Sequence, residues 1–460
     1  MPRAKPDAKE NIQIELHTPN RSHVVAGDVL TGLVTLKAGT KIPVDHVKLT
    51  LFGRTKTKIS RKNANNITSV YRGRRLFFEK HQDLSAADIV CTSDAQAWPF
   101  SIAIPESPAP SQESGDPYKP EPGYWSTEVT ANNSNYSFPS TYYYFAEPGA
   151  MSTTTAEAYV EYALKVEFSN AKLSNKHYGA TALAFRGKSI ELPLTDFDFK
   201  ERKFPVWIKS EKLLPPPSEK PVVSTRDSFI KMFKSNPKPK YGFGIMVHYP
   251  TMVQLEHPAS FPLRMEVIPD LKSGNTTISP DMLPDVKLVS MSLTLIAFVI
   301  IRSPSTFSTT ESRKERKYKL VTDYKLDHVI PNRQFAAADG SLPELLDIGD
   351  ILKLSVNRRR PDVPGVKSVD FERPLVPSFS TYNIQLRYQL RWKMFYECGG
   401  KRTDISHEVP VVVHGPSEAD VKDKESSWVG TERGKDYDEI ENGVEIAMQG
   451  LNALANILSM

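Results

Sequence analysis

The stretch VVAGDVLTGLVTLKAGTKIPVDHVKLTLF, residues 24–52, decides the fold that this sequence predicts. Apolar and polar side chains alternate twice in it, on either side of a turn at Gly39. Alternation with a period of two is typical of strands that are buried on one face. We expect the two strands to be antiparallel neighbours in one layer, which a second sheet covers to make a β-sandwich. The apolar residues are Leu30, Val34 and Leu36 in the first strand and Val47, Leu49 and Leu51 in the second.

Five further segments predict strands of the same kind. Residues 162–168 and 384–396 have the most regular alternation, and the apolar residues 286–302 are expected to form a long central strand. Shorter strands are expected at 190–194 and 351–356. With 460 residues, the chain is long enough for two sandwich domains with linkers and tails.

These patterns divide the chain into parts of different composition. Three consecutive prolines at 215–217 mark a linker between the domains. The predicted parts are a flexible amino terminus at 1–10, a first sandwich at 11–200 with a loop insertion at 105–155, a Pro/Lys-rich linker at 201–240, a second sandwich at 241–416, and a charged tail with an amphipathic helix at 417–460.

Composition predicts a cytoplasmic protein. The two cysteines, Cys91 and Cys398, lie far apart and do not form a disulfide framework, so we expect reduced thiols. The first ten residues contain no apolar signal region, and the most apolar run, 288–301, is too short to cross a membrane. A formal net charge of +5 is mild for this length, so we expect no nucleic-acid partner.

Basic residues concentrate between positions 54 and 80, where Glu79 is the only acid. One interpretation is a solvated hairpin whose charges keep a sheet edge from pairing with other chains. The other is a binding site for acidic groups, such as phosphorylated tails of a cargo protein or anionic lipid heads. The candidate site residues are Arg54, Lys56, Lys58, Arg61, Lys62, Arg72, Arg74, Arg75 and Lys80.

The sequence contains no recognisable catalytic motif. Gly-x-Ser-x-Gly and Walker sequences are missing, and the ten histidines have no metal-binding spacing. We therefore expect no enzymatic activity, no cofactor and no metal. The alternative is a carbohydrate-binding or hydrolytic sandwich whose carboxylates meet only on folding. The aromatic run at 142–145 would then stack on sugar; the other interpretation is a strand that buries two of its four rings.

Two stretches of the sequence resemble arrestins, most closely the fungal α-arrestins, which are arrestin-related trafficking adaptors. The first is similar to a strand pair of their amino-terminal domain, and the second to the final hairpin of their carboxy-terminal domain. The resemblance covers about residues 11–415. Its motifs are Gly27-Asp28 with Val29-x-x-Gly32-x-Val34-x-Leu36 in the first stretch, and Phe379-x-Thr381-Tyr382-Asn383-Ile384 with Glu397-Cys398-x-Gly400-Lys401 in the second.

The resemblance implies an all-β protein with two tandem immunoglobulin-like sandwich domains and a short carboxy-terminal helix. It also implies an adaptor that recognises cytoplasmic tails of membrane transporters or receptors, at the plasma membrane or endosomes, and couples them to ubiquitin-dependent endocytosis or sorting. An anionic membrane surface is a further expected partner. The chain has no Pro-Pro-x-Tyr motif for direct docking to a HECT-type ubiquitin ligase. It would therefore act through a partner adaptor, or as a signalling scaffold without a ligase.

The tail beyond residue 416 predicts a helix, because apolar residues recur in it at helical spacing. One interpretation is a helix that packs on its own domain. The other, suggested by the tails of animal arrestins, is that the tail folds over the basic segment and competes with cargo. Its contact residues would be Ile440, Val444, Met448 and Leu451.

Overall fold

The computed structural model describes most of the chain, and the account below concerns the described residues. They lie mostly in β-strands of several sheets, with one short α-helix and two 3₁₀ turns, Glu211–Leu213 and Pro280–Met282. The predicted tail helix lies outside them. The described ranges are 12–17, 23–37, 45–84, 90–91, 95–107, 138–146, 154–170, 173–213, 238–272, 274–304, 309–332, 343–366, 369–381 and 383–418.

The first nine strands form two antiparallel sheets. One has the order β1-β2-β6-β5; the other has the order β4-β3-β8-β7, with β9 also paired to β8. The sheets pack face to face, since Trp98 of β6 lies edge-on to Phe168 of β8 with ring centroids 5.4 Å apart. The strands are β1 (Ile12–Leu16), β2 (Val29–Lys37), β3 (His46–Lys62), β4 (Thr68–Asp83), β5 (Val90–Cys91), β6 (Ala95–Ala103), β7 (Tyr142–Ala146), β8 (Thr154–Asn170) and β9 (Leu173–Leu183).

The alternation in residues 24–52 predicted the buried faces correctly and the pairing wrongly. All six apolar residues named above are buried. The two strands are not neighbours, however: β2 pairs with β1 and β6, whereas β3 pairs with β4 and β8 in the facing sheet. Alternation determines which side of a strand avoids water, and both arrangements bury the same side chains. The two strands therefore contribute to the sandwich from its two opposite sheets.

The remaining strands form a second pair of sheets and one separate strand pair. One has the order β10-β11-β13-β16, the other β12-β21-β20-β14-β15 with β19 on β20, and β17 pairs with β18. They enclose a core in which Tyr249 of β11 lies 5.3 Å from Trp392 of β20 between ring centroids. The elements are β10 (Phe199–Lys209), β11 (Lys240–Pro250), β12 (Met252–Gln254), β13 (Arg264–Pro269), β14 (Lys287–Pro304), β15 (Thr309–Val329), β16 (Leu346–Asp347), α1 (Ile348–Leu352), β17 (Ser355–Val356), β18 (Pro361–Asp362), β19 (Phe379–Ser380), β20 (Ile384–Cys398) and β21 (Lys401–His414).

The long strands agree with the sequence pattern. The segment 162–168 lies in β8, 286–302 matches β14 to within two residues, and 384–396 lies in β20. The strand β14 is central, between β15 and β20. Along β20, Tyr388, Leu390, Trp392, Met394 and Tyr396 are all buried, as one-sided alternation requires.

The predicted strand at 190–194 is wrong. Residues 186–198 have no strand, and Leu192 is 68% exposed. Pro193 interrupts the pattern, because proline cannot donate a hydrogen bond to a neighbouring strand. The segment instead crosses to the second pair of sheets, where the N–H of Leu194 donates to Oε1 of Gln254 at 2.8 Å.

The strand expected at 351–356 is also wrong over most of its length. Residues 348–352 form α1, and only Ser355–Val356 is a strand. The carboxylate of Asp347 accepts the N–H of Asp350 at 3.2 Å and caps the amino terminus of the helix. Lys353, at φ +48°, ends it in the left-handed conformation. Local capping here outweighs a weak alternating pattern.

The predicted linker at 201–240 needs one correction. Its first part belongs to β10, which pairs along its whole length with β11. Phe204, Val206 and Ile208 turn toward the core, while charged side chains occupy most of the other positions and Trp207 is exposed. The high charge of this segment conceals an ordinary edge strand. Residues 214–237 lie outside the described part of the chain.

Candidate binding site

The basic segment forms one long hairpin, β3 and β4, which is called the basic hairpin here. Asn63 makes its turn: the side-chain Oδ1 accepts the N–H groups of Asn65 at 3.0 Å and Ile67 at 2.9 Å. Asn66, at φ +62°, completes the turn in the left-handed region that asparagine tolerates. From Arg54 to Lys62 the two strands keep an uninterrupted register.

Strand alternation gives the basic hairpin two faces of different character. On the outer face, rows of residues run across three strands from β4 through β3 to β8. On the inner face lie Thr55, Thr57 and Ile59 of β3, with Gly73 of β4. The rows of the outer face are Leu76–Arg54–Glu161, Arg74–Lys56–Tyr159 and Arg72–Lys58–Glu157.

A buried ion pair forms the base of the outer face. The Nε of Arg54 donates to Oε1 of Glu161, and the Nζ of Lys56 lies 3.0 Å from the same oxygen. The side chains of Arg54 and Glu161 are only 7% and 10% exposed. The Arg54 guanidinium also lies 4.5 Å above the ring of Phe52, a cation–π contact. Two cations therefore share one carboxylate in a poorly hydrated place.

The shared carboxylate leaves the buried cations incompletely balanced. Burial lowers the pKa of Arg54 and the pKa of Lys56, because removing water disfavours the charged form; the attraction of Glu161 opposes this shift in both. The Nη2 of Arg54 is buried and has no hydrogen-bond partner among the described residues. The electrostatic balance of the outer face is thus positive even where it is most enclosed.

The second carboxylate of the outer face is more exposed. Oε1 of Glu157 lies 3.2 Å from Nζ of Lys58, and its Oε2 accepts the hydroxyl of Tyr159 at 3.3 Å. The ring of Tyr159 lies 4.9 Å from that of Tyr143, which continues the row onto β7. Three of the five cations on this face therefore already have a carboxylate of β8.

Arg72 and Arg74 are the two outer-face cations without such a partner. Both are exposed, and neither side chain makes an ion pair or hydrogen bond within the described part of the chain. They lie two residues apart on β4, which ends its sheet in the order described. Leu76 and Val70 flank them on the same face, and Val70 is 41% exposed.

The other four predicted site residues do not join this face. Nη2 of Arg61 donates to the backbone oxygen of Glu311 at 2.9 Å, in the second pair of sheets. Nζ of Lys80 donates to the backbone oxygen of Ala103 at 3.1 Å. Arg75 lies on the inner face, and Lys62 lies near the turn. The structure thus brings together five of the nine predicted residues: Arg54, Lys56, Lys58, Arg72 and Arg74.

Besides the Arg61 bond to Glu311, the inner face of the basic hairpin contacts the second pair of sheets through the hydroxyl group of Thr57. Oγ1 of Thr57 donates to the backbone oxygen of Arg302 at 2.7 Å. It also accepts the hydroxyl of Ser303 at 2.9 Å and Nδ2 of Asn383 at 3.3 Å. A Cβ atom on Gly73 would lie 2.6 Å from this hydroxyl and 3.2 Å from Cδ of Pro304, so the close approach requires glycine.

Aromatic residues of β7 extend the same contact. Tyr142 packs on Phe379 with ring centroids 5.2 Å apart, and the guanidinium of Arg316 lies 5.1 Å above the ring of Tyr144. Tyr142 and Tyr144 are buried, whereas Tyr143 and Phe145 are partly exposed. This confirms a strand that buries two of its four rings. Two rings of the supposed sugar platform are therefore inaccessible.

Sequence reasoning missed the acidic partners and the inter-sheet contact. Glu157 and Glu161 lie about a hundred residues after the lysines and arginine that they pair with. Their only sequence signal is a position on the polar side of β8. In the sequence, Thr57 is indistinguishable from other polar strand residues. Its hydrogen-bond partners lie more than 240 residues away. Neither relation is visible until the strands are paired.

Two searches for special sites concern the described residues alone. No group of three or more potential metal ligands comes together in them. None of their helices is long and apolar enough to cross a membrane. The proposed tail contacts Ile440, Val444, Met448 and Leu451 lie outside the described ranges.

Comparison with known proteins leaves the family of the chain open. Neither the protein-family models nor the curated protein sequences gave a match. The likeness to α-arrestins therefore stays a prediction that depends on the motifs quoted above.

Proposed function

We propose that this protein is a non-enzymatic, arrestin-like adaptor. In this proposal it recognises acidic segments in the cytoplasmic tails of membrane transporters or receptors and couples them to ubiquitin-dependent endocytosis or sorting. Two features of the protein support this proposal: the positions of the arrestin-like motifs and the charge of the outer face. The arrestin-like motifs fall on β2 and β3 in the first pair of sheets and on β19 to β21 in the second. The two pairs of sheets would then be the tandem domains of an arrestin fold.

The observation that carries the proposal is the charge of the outer face. Its five cations exceed the nearby carboxylates Glu79, Glu157 and Glu161, and two of the cations are exposed arginines. Arginine binds carboxylate and phosphate groups through paired hydrogen bonds, and partly buried surroundings strengthen such contacts. An acidic ligand would neutralise the positive charge that the carboxylates near the outer face leave uncompensated.

The test is proximity labelling of the intact protein in its own cells, compared with the double variant Arg72→Gln and Arg74→Gln. We expect the wild-type protein to label membrane proteins with acidic cytoplasmic tails, and the variant to lose them. A control variant, Lys317→Gln, removes an exposed cation of β15 and should label the same set as the wild type. A wild-type set without membrane proteins would overturn the proposal.

A signalling scaffold without a ligase is the second candidate, favoured by the missing Pro-Pro-x-Tyr motif. The same labelling experiment separates the two. Ubiquitin ligases or their adaptors should appear among the labelled proteins for a trafficking adaptor. Membrane proteins labelled together with kinases or other signalling proteins, and with no ligase, support the scaffold.

A further inference from the structure

We propose that the outer face binds an extended peptide segment with two acidic residues two positions apart, added as a strand to the edge of β4. This inference rests on the proposed function of the outer face as a site for acidic groups. It adds the conformation of the ligand and the spacing of its charges. Both follow from where Arg72 and Arg74 stand.

The spacing follows from strand geometry. Arg72 and Arg74 lie on the same face of β4, two residues apart, so their Cα atoms are roughly 6.7 Å apart along the strand. In an extended peptide, residues i and i+2 lie on one side and have the same separation, whereas i and i+1 point to opposite sides. An acid-x-acid segment therefore places one carboxylate beside each arginine.

The position of β4 makes strand addition possible. In the described sheet β4 is the last strand, and on its other side Arg72 and Arg74 already have cross-strand neighbours, Lys58 and Lys56. No proline interrupts residues 68–83, so β4 keeps its backbone donors and acceptors. An added strand would place its acids directly opposite the two arginines, as oppositely charged cross-strand pairs require. Like-charged lysines on β3 disfavour a basic partner at the same edge.

The flanking residues extend the pattern to four positions. Along the outer face, β4 presents Leu76, Arg74, Arg72 and Val70 in that order. The complementary segment is therefore apolar-x-acid-x-acid-x-apolar, and it reads the same in either direction. The residue between the two acids would lie opposite Gly73, on the side where Pro304 approaches. A small residue suits that position.

The test measures binding of labelled heptapeptides to the full chain by fluorescence anisotropy. The matching probe is Leu-Ser-Glu-Ser-Glu-Ser-Leu, and the control, Leu-Ser-Ser-Glu-Glu-Ser-Leu, has the same composition with adjacent acids. We expect the matching probe to bind about fivefold more tightly, as the loss of one cross-strand ion pair predicts. Arg72→Gln and Arg74→Gln should each weaken it about threefold, and together they should abolish the preference. Lys317→Gln should change neither affinity.

Backbone methylation tests the strand addition directly. In an added strand, alternate N–H groups face β4 and the others face away. One probe is methylated at the backbone nitrogens of both glutamates, and the other at those of the two outer serines. We expect one of the two probes to lose binding and the other to keep it. Equal losses would overturn the strand arrangement.

Three outcomes separate the inference from the proposed function. If neither peptide binds, the proposed acidic-ligand site and the inference both fail. If both bind equally and the arginine variants weaken both, the site stands and the spacing is overturned. If vesicles containing anionic lipid bind in an Arg72- and Arg74-dependent way and the peptides do not, the occupant is a membrane surface, and the peptide proposal is overturned. Thermal unfolding that matches the wild type establishes that each variant is folded.

Discussion

The two faces of β3 bury polar side chains in opposite ways. On the outer face, Arg54 and Lys56 share the carboxylate of Glu161. On the inner face, the neutral hydroxyl of Thr57 makes three hydrogen bonds to the second pair of sheets. Buried charge is costly to leave unpaired, whereas a buried hydroxyl costs much less. The comparison teaches that one strand supports a charge-sensitive site on one side and, around Thr57, a joint of neutral hydrogen bonds on the other.

The largest effect is expected from Glu161→Gln. It leaves the buried Arg54 and the partly buried Lys56 without their carboxylate, so we expect the free energy of unfolding to fall by about 3–5 kcal/mol. Urea unfolding followed by circular dichroism measures this. The matched control is Glu157→Gln, whose carboxylate is 23% exposed and pairs with a more exposed lysine. There we expect a loss of at most about 1 kcal/mol.

Equal losses in the two glutamate variants would contradict the first half of the comparison. They would mean that hydration of Arg54 and Lys56 does not differ from that of Lys58. A larger loss of unfolding free energy in Glu157→Gln would show that the ion pair of Glu157 with Lys58 contributes more to stability than that of Glu161.

A smaller effect is expected from Thr57→Val, which keeps the shape of the side chain and removes its hydroxyl. Ser303 and Asn383 then lose their acceptor, so we expect the free energy of unfolding to fall by about 1–3 kcal/mol. Hydrogen exchange at β3 and β14 should speed up together. The control is Thr31→Val, at an exposed position of β2, with an expected change within about 0.5 kcal/mol. Exchange that speeds up only in β3 would show that the joint does not depend on this hydroxyl.

The smallest effect is expected from Lys56→Met, because Arg54 alone can balance Glu161. Replacing a surplus buried cation by an apolar side chain should change the free energy of unfolding by less than about 1 kcal/mol at neutral pH. The pH dependence gives the sharper readout. The folded pKa of Lys56 lies below 10.5, so between its folded and unfolded values the unfolded chain binds this proton more strongly, and the contribution of Lys56 to stability rises with pH.

The free energy of unfolding of the wild type, measured relative to that of Lys56→Met, should therefore rise with pH just below 10.5. Unfolding by urea at pH 8, 9 and 10 measures both slopes. Parallel slopes would show that Lys56 titrates alike in the folded and unfolded chain, and that Glu161 compensates fully for its burial.

Side-chain alternation predicted a large part of this fold. It indicated the buried faces of β2, β3, β8 and β20 from single residues such as Leu49 and Trp392. It did so because the pleat fixes the side of each residue, whatever strand lies beside it. The partner strand depends on contacts far along the chain, which is why β2 and β3 were expected in one sheet and lie in two. The helix α1 is a second case in which alternation failed, because capping by nearby residues determined the local structure.

The candidate site, too, was predictable from local sequence in one part and depended on strand pairing in another. The concentration of basic residues between 54 and 80 is a property of the sequence, and alternation would sort them into two faces. Which of them remain uncompensated depends on Glu157 and Glu161 of β8. That pairing also requires the register of β3 against β8, which no local pattern contains. Arg72 and Arg74 emerge as a pair only after the other cations have been assigned.

The place of Thr57 between Lys56 and Lys58 has a consequence for how the chain unfolds. Detaching β3 from its sheet would remove the hydroxyl that Ser303, Arg302 and Asn383 depend on, and would separate Arg54 from Glu161 in the same event. The strand β3 thus joins the two pairs of sheets. We expect the two pairs to unfold together when β3 is released. Cooperativity between them therefore depends in part on this single strand, β3.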